Sequence, residues 1–138
     1  MEKVTKIIKV AAGIIVCKGH ILIAQRKHGK DLEYKWEFPG GKLEQGETYE
    51  QCLARELLEE MNLPIVVGSH FMDTAYDYDF GRVELHCYKA VCAQEQISEL
   101  NEHEQYRWVP AGELVQYDFA PADKPIIAAL LETGKSDI

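Results

Sequence analysis

A single α/β domain is what this sequence predicts, on three observations. β-Branched and apolar residues fill nearly every position of Ile7–Cys17, as in a strand buried on both faces. Leu53, Leu57 and Met61 recur every four residues through a charged stretch, which marks one buried helical stripe. Ile126, Ile127, Leu130 and Leu131 set a second stripe near the C-terminus, after several strand-like segments. The 138 residues suit one domain with a real core, and no internal repeat, low-complexity tract or linker divides them.

In chain order, Lys18-Gly19-His20 reads as a tight turn and Ile21–Gln25 as the returning strand. Arg26-Lys27-His28-Gly29-Lys30 is a basic loop in which Arg26, at the strand end, is best placed to reach a ligand. Trp36-Glu37-Phe38-Pro39 is a short or edge strand, because Pro39 cannot donate to a ladder. Trp36 and Phe38 read as core. Gly40 and Gly41 let the backbone come close to a ligand and turn a carbonyl towards a cation. Thr48 is the N-cap of the first helix, and Pro64 stops it. A strand region from Ile65 to Tyr78 turns at Asp79-Phe80-Gly81-Arg82 and pairs with Val83–Ala93. Tyr76 and Tyr78 share one face of it, and Tyr78 or Phe80 is a candidate to stack on a base. Gln94–Glu104 is a polar loop over the site, Gln105–Val109 the last strand and Pro110–Val115 a short helix or turn. Ala120-Pro121-Ala122-Asp123-Lys124-Pro125 is a rigid elbow that opens the helix Pro125–Glu132.

A net charge of −8 argues against a binder of nucleic-acid polymers, which needs a basic surface. Cys17, Cys52, Cys87 and Cys92 form no C-x-x-C pair or zinc spacing, and the first three sit in apolar runs as buried thiols do. No signal peptide and no run of 18 apolar residues is present, so the expectation is a cytoplasmic chain without a membrane partner.

The most informative stretch is Gly40–Leu63, GGKLEQGETYEQCLARELLEEMNL. Glu56, Glu59 and Glu60 stand at i, i+3 and i+4 on the helix. Each close pair of carboxylates repels by roughly 3 kcal/mol at an effective dielectric near 20. Arg55 offsets part of that, and a divalent cation is the other relief; all-oxygen ligands suit Mg²⁺, with Mn²⁺ as a substitute.

Gly41, Glu47, Arg55, Glu56, Leu57, Glu59, Glu60 and Leu63 match the Nudix box, G-x5-E-x7-R-E-U-x-E-E-x-G-U with U aliphatic, so the chain resembles the Nudix hydrolase family. Asn62 departs from the box glycine. The position ends the helix in a left-handed conformation, for which asparagine is the next-best residue. The resemblance extends to Trp36–Lys42, Glu102–Trp108 and Phe119–Asp123, in the manner of the MutT-like and CTP pyrophosphohydrolase-like nucleoside triphosphate branch.

The resemblance implies an α/β/α sandwich with a central mixed sheet, and metal-assisted hydrolysis of a nucleoside triphosphate to the monophosphate and pyrophosphate. It implies Glu56 as base or metal ligand, held by Arg55, and Gly40, Glu59, Glu60 and Glu102 as further metal ligands, with Glu104 a substitute for Glu102. Glu47 supports the loop, with a ligand role as the alternative. Arg26 and Lys42 would neutralise phosphate charge, and Asp123 would read the base edge. An ionised aspartate favours the amino group of cytosine; a protonated one can donate to a guanine oxygen. The base is therefore that of CTP, a modified dCTP or an oxidised guanine nucleotide such as 8-oxo-dGTP. The alternatives are a hydrolase of nucleotide sugars or ADP-ribose, and a nucleotide-sensing module without turnover. Either a monomer or a homodimer is compatible.

Overall fold

A computed structural model describes residues 6–132. Seven strands and two helices follow in the order β1 (Ile7–Cys17), β2 (His20–Arg26), β3 (Trp36–Glu37), β4 (Gly40–Lys42), α1 (Tyr49–Met61), β5 (Val66–Tyr78), β6 (Gly81–Val91), β7 (His103–Val109) and α2 (Lys124–Glu132). Short 3-10 turns cover Ala111–Gln116 and Pro121–Asp123.

The strands form one mixed sheet. β1 and β6 run parallel from Ile7 beside Arg82 to Val16 beside Val91, and every other pairing is antiparallel. Alternation along β1 sends Ala12 and Ile14 to one face and Ala11 and Ile15 to the other. The first face packs against Ile126, Ile127 and Leu130 of α2, with Trp36, Phe38 and Phe119. The second packs against Cys52, Leu53, Leu57 and Met61 of α1. An α/β/α sandwich results.

The feature that makes room for a site is a fork between β1 and β2. They are register partners only beside their turn, Val16 with Ile21 and Cys17 with His20. Beyond it Trp36–Lys42 fills the opening: β3 pairs with Ala24 and Gln25 of β2, and β4 pairs with Val10–Ala12 of β1. Between them Pro39 offers its carbonyl to the Gly13 N–H at 2.9 Å. Pro39 thus sits where no ladder donor is required, and the sequence expectation of a short strand there is met by β3 with two residues.

Helix α1 is bounded as its sequence predicts. Thr48 Oγ1 accepts from the Gln51 N–H and the Gln51 side chain accepts from the Thr48 N–H, a complete capping box. Asn62 ends the helix at φ 51°, ψ 38°, in the left-handed region.

Several boundaries differ. β7 begins at His103, because that residue pairs with Arg26 past a bulge at Glu104 of β7, so the preceding loop is shorter than its polar composition suggested. Gly40–Lys42 is a strand, formed only because the fork leaves β1 an open edge. β6 starts at Gly81 and ends at Val91, and α2 starts at Lys124. Among the described residues no helix is long and apolar enough to cross a membrane.

Candidate active site

The mouth of the fork opens into a cavity of about 660 Å³. Its acidic end is lined by Gly40, Gly41, Glu56, Glu60 and Glu102, and its other end by Tyr78, Phe80, Ala122 and Asp123. Lys6, Arg26, Lys30 and Lys42 supply positive charge. One pocket therefore collects nearly every residue the sequence nominated.

Arg55 organises the acidic end. Its Nε and Nη2 donate to the two oxygens of Glu47, at 2.5 and 3.0 Å, a bidentate pair. Nη1 donates to Glu56 Oε1 at 2.9 Å and to Glu59 Oε1 at 3.1 Å, and Nη2 also reaches the Lys42 carbonyl. The bond from Arg55 holds the Glu47 carboxyl down at a pKa of about 2, helped by the Glu44 N–H. Glu47 thus ties the loop to the helix.

Glu56 and Glu60 turn into the pocket, each with a side chain 15% exposed. Burial, and then the charge of Glu56, push the Glu60 carboxyl well above the usual carboxylate range. Two carboxylates pressed together this way are a donor set that fits a hard divalent ion. Among the described residues, no three histidine, cysteine or carboxylate groups already converge closely enough to enclose one.

Glu59 departs from the expected cluster. It is 61% exposed, lies on Arg55 and does not line the cavity. The cause is helical geometry: at about 100° per residue, Glu60 and Glu59 fall on opposite sides of Glu56, and Glu59 on that of Arg55. Its expected place as a metal ligand would require leaving Arg55.

The glycines have a reason beyond the one predicted. A Cβ on Gly41 would stand 2.1 Å from Glu56 Cδ, and one on Gly40 would stand 1.8 Å from the Ala11 carbonyl oxygen. Gly41 makes space for a carboxylate, and Gly40 lets β4 lie against β1.

Glu102 reaches the cavity because its loop is fastened to the end of α1. Asn101 donates its N–H to the Glu60 carbonyl at 3.0 Å and its side-chain amide to the Glu59 carbonyl at 2.9 Å. These carbonyls have no partner within the helix, so the loop satisfies them. Lys30 Nζ holds Glu102 Oε1 at 2.6 Å, and that bond keeps the Glu102 pKa low. Glu104, the suggested substitute, accepts instead from the His28 N–H, outside the cavity.

Arg26 lines the cavity but is not a free cation. Nη1 donates to Glu37 Oε1 at 3.1 Å, and Nε donates to the Asp31 carbonyl at 2.7 Å. Glu37 and His103 belong to the site and were not foreseen as functional. Burial opposes ionisation of Glu37, but the His103 bond and the charges of His103 and Arg26 outweigh it and hold its pKa down. Their only signal in the sequence was position: Glu37 two residues before Pro39, His103 directly after Glu102.

At the far end the Tyr78 and Phe80 rings lie parallel, centroids 5.0 Å apart and 5° between planes. The Tyr78 hydroxyl accepts from the Ala122 N–H at 2.9 Å, and Thr74 Oγ1 donates to the Ala122 carbonyl at 2.8 Å, so β5 grips the elbow from both sides. Asp123, 4% exposed, accepts the Phe38 N–H on Oδ2 at 2.9 Å. Burial, then the charge of Glu37, raise its pKa well above the ordinary value.

A sandwich of this topology, with paired carboxylates facing lysines across one cavity, defines a hydrolase of phosphorylated substrates. The chain belongs to the NUDIX domain family, whose profile matches residues 8–130. It is 35% identical over 126 residues to the CTP pyrophosphohydrolase of Escherichia coli, covering 91% of this chain and 93% of that one. It is 36% identical to the 8-oxo-dGTP diphosphatase of Haemophilus influenzae, again over 91% and 93%. A solution structure of the MutT protein of methicillin-resistant Staphylococcus aureus 252 superposes with a TM-score of 0.75 at 39% identity, covering 95% of this chain and all of that one.

Proposed function

We propose that the chain hydrolyses a nucleoside triphosphate to the nucleoside monophosphate and pyrophosphate. The carrying observation is the cavity that joins the acidic end to the aromatic end, with Asp123 of the elbow held against the Phe38 N–H. The names of the two relatives, CTP pyrophosphohydrolase and 8-oxo-dGTP diphosphatase, support the same reading.

Glu56, Glu60 and Glu102, with the Gly40 carbonyl, would hold the divalent cation, Mg²⁺ or Mn²⁺, with Glu59 joining on release from Arg55. When bound, the cation offsets charge on the phosphate oxygens and makes water a better nucleophile. Arg55 keeps Glu56 Oε1 occupied and fixes the carboxylate over Gly41, where it is placed to take the proton of the attacking water. The water oxygen bonds to one phosphorus of the α–β anhydride while its bond to the bridging oxygen breaks. The electron pair leaves with the other fragment: the monophosphate for attack at the β-phosphorus, pyrophosphate for attack at the α-phosphorus. Lys42, Lys30 and Lys6 lie along the cavity to balance the phosphates, and Arg26 adds charge there while holding Glu37.

Tyr78 and Phe80 provide a flat wall for the base. Asp123 has Oδ2 committed to the Phe38 N–H, and its raised pKa favours a protonated carboxyl with a donor left for the substrate. That donor suits a base edge with a carbonyl acceptor, as in 8-oxoguanine; the ionised form suits the cytosine amino group. The experiment is Mg²⁺-dependent pyrophosphate release with 8-oxo-dGTP, CTP, the ordinary dNTPs and ADP-ribose, compared from pH 6 to 9. The kcat/KM ratio of 8-oxo-dGTP to CTP should fall as pH rises. Turnover of ADP-ribose alone would overturn the triphosphate assignment.

A further inference from the structure

We propose that His103 is a positioning residue that fixes the Glu60 carboxylate. It rests on the reading above that Glu60 helps to hold a divalent cation.

A bulge at Glu104 of β7, opposite the Gln25–Arg26 step of β2, places His103 beside Arg26 at the start of β7. The ring is 4% exposed. Its Nε2 stands 2.8 Å from Glu37 Oε2, and the other Glu37 oxygen is taken by Arg26. The imidazole is thus held on one side by a carboxylate that is itself held. Its other nitrogen, Nδ1, is buried and has no hydrogen-bond partner among the described residues. It stands 3.8 Å from Glu60 Oε2, beyond hydrogen-bonding range. A histidine kept only for packing has no use for a polar atom buried in this state, since an apolar ring would fill the same space without it. A small rotation of the Glu60 carboxylate brings the two atoms within bonding distance. Arg26, Glu37, His103 and Glu60 then form one continuous chain from the middle of the cavity to its acidic end. Residues that orient a ligating carboxylate in this way act on how well the ion is held.

The test uses the full chain and Mn²⁺ alone, with free Mn²⁺ followed by electron paramagnetic resonance. In His103→Gln the amide can reach Glu37 as Nε2 does, but nothing replaces Nδ1. This variant should melt as the wild type does, bind Mn²⁺ about tenfold more weakly, and lose kcat on nucleoside triphosphates with KM unchanged. His103→Asn, which puts an amide near the Nδ1 position, should recover part of the Mn²⁺ affinity. Wild-type affinity in His103→Gln overturns the proposal alone. A wild-type chain that binds no Mn²⁺ overturns the metal reading and the proposal with it. Should His103→Gln fail to fold, nitrogen NMR of the wild type decides: Mg²⁺ must move the His103 Nδ1 resonance, and an unmoved resonance at saturation overturns the proposal.

Discussion

Glu47 and Arg55 meet through two parallel bonds, Nε to Oε2 at 2.5 Å and Nη2 to Oε1 at 3.0 Å, which leaves Nη1 free to reach Glu56 and Glu59. Only a planar fork of five donors can serve three carboxylates in this way. Arg55→Lys keeps the charge and loses the fork. Its kcat should drop by about tenfold or more, in the range seen when groups orienting a metal ligand are removed. Steady-state kinetics beside a thermal melt checks this, and wild-type kcat would show that charge alone suffices.

Gly41→Ala and Gly40→Ala should fail in different ways. At Gly41 the new methyl meets a side chain, Glu56, which can swing aside. The expected variant is folded, with turnover reduced by about a hundredfold, in line with the effect of misplacing a reacting group by about 1 Å. At Gly40 the methyl meets the Ala11 main chain, which cannot move without parting β4 from β1. Circular dichroism should find Gly40→Ala unfolded or strongly destabilised.

Asn62→Gly should leave stability within about 0.5 kcal/mol of wild type, while Asn62→Ala should cost about 1–2 kcal/mol in urea unfolding, because alanine is poorly suited to the left-handed region. Equal stability of the two variants would contradict the φ of 51° found there.

Asp123→Asn tests the buried carboxyl through the pH dependence of stability. The folded pKa of Asp123 lies above the ordinary value of 3.8, so its contribution is fully present below the unfolded pKa and is lost as pH rises through the folded one. Wild-type stability relative to Asp123→Asn should therefore decline from acid towards neutral and alkaline pH. The asparagine can still accept the Phe38 N–H, so the variant should fold. Urea midpoints of both proteins across pH 4 to 9 check the sign; a difference that rises with pH would refute the raised pKa.

Much of α1 was legible because its determinants are local. The capping box lies within Thr48–Gln51, the apolar stripe repeats at i+4, and Asn62 acts on its own turn. The core role of Trp36 and Phe38 was likewise readable from their apolar character. What could not be read depends on strands distant in sequence. β4 exists because β1 and β2 part company, and His103 faces Glu37 because a bulge shifts β2 against β7. Glu59 lies on Arg55 rather than in the cavity for another reason. Spacing of i, i+3 and i+4 says which residues are near one another, but the direction of the pocket decides which of them points in.

The fork between β1 and β2 also works as a ruler. Glu37 is anchored to β2 and Gly41 to β1, with the main chain of Phe38-Pro39-Gly40 stretched between them. The distance from Asp123, held by the Phe38 N–H, to Glu56, seated against Gly41, is thus set by main chain rather than by flexible side chains. On the triphosphate reading proposed above, a molecule whose cleavable linkage sits one phosphate nearer or farther from its base would present the wrong bond to Glu56. Residues around Tyr78, Phe80 and Asp123 are consequently open to exchange, so that preference for the base could drift while the position of the cut stays put.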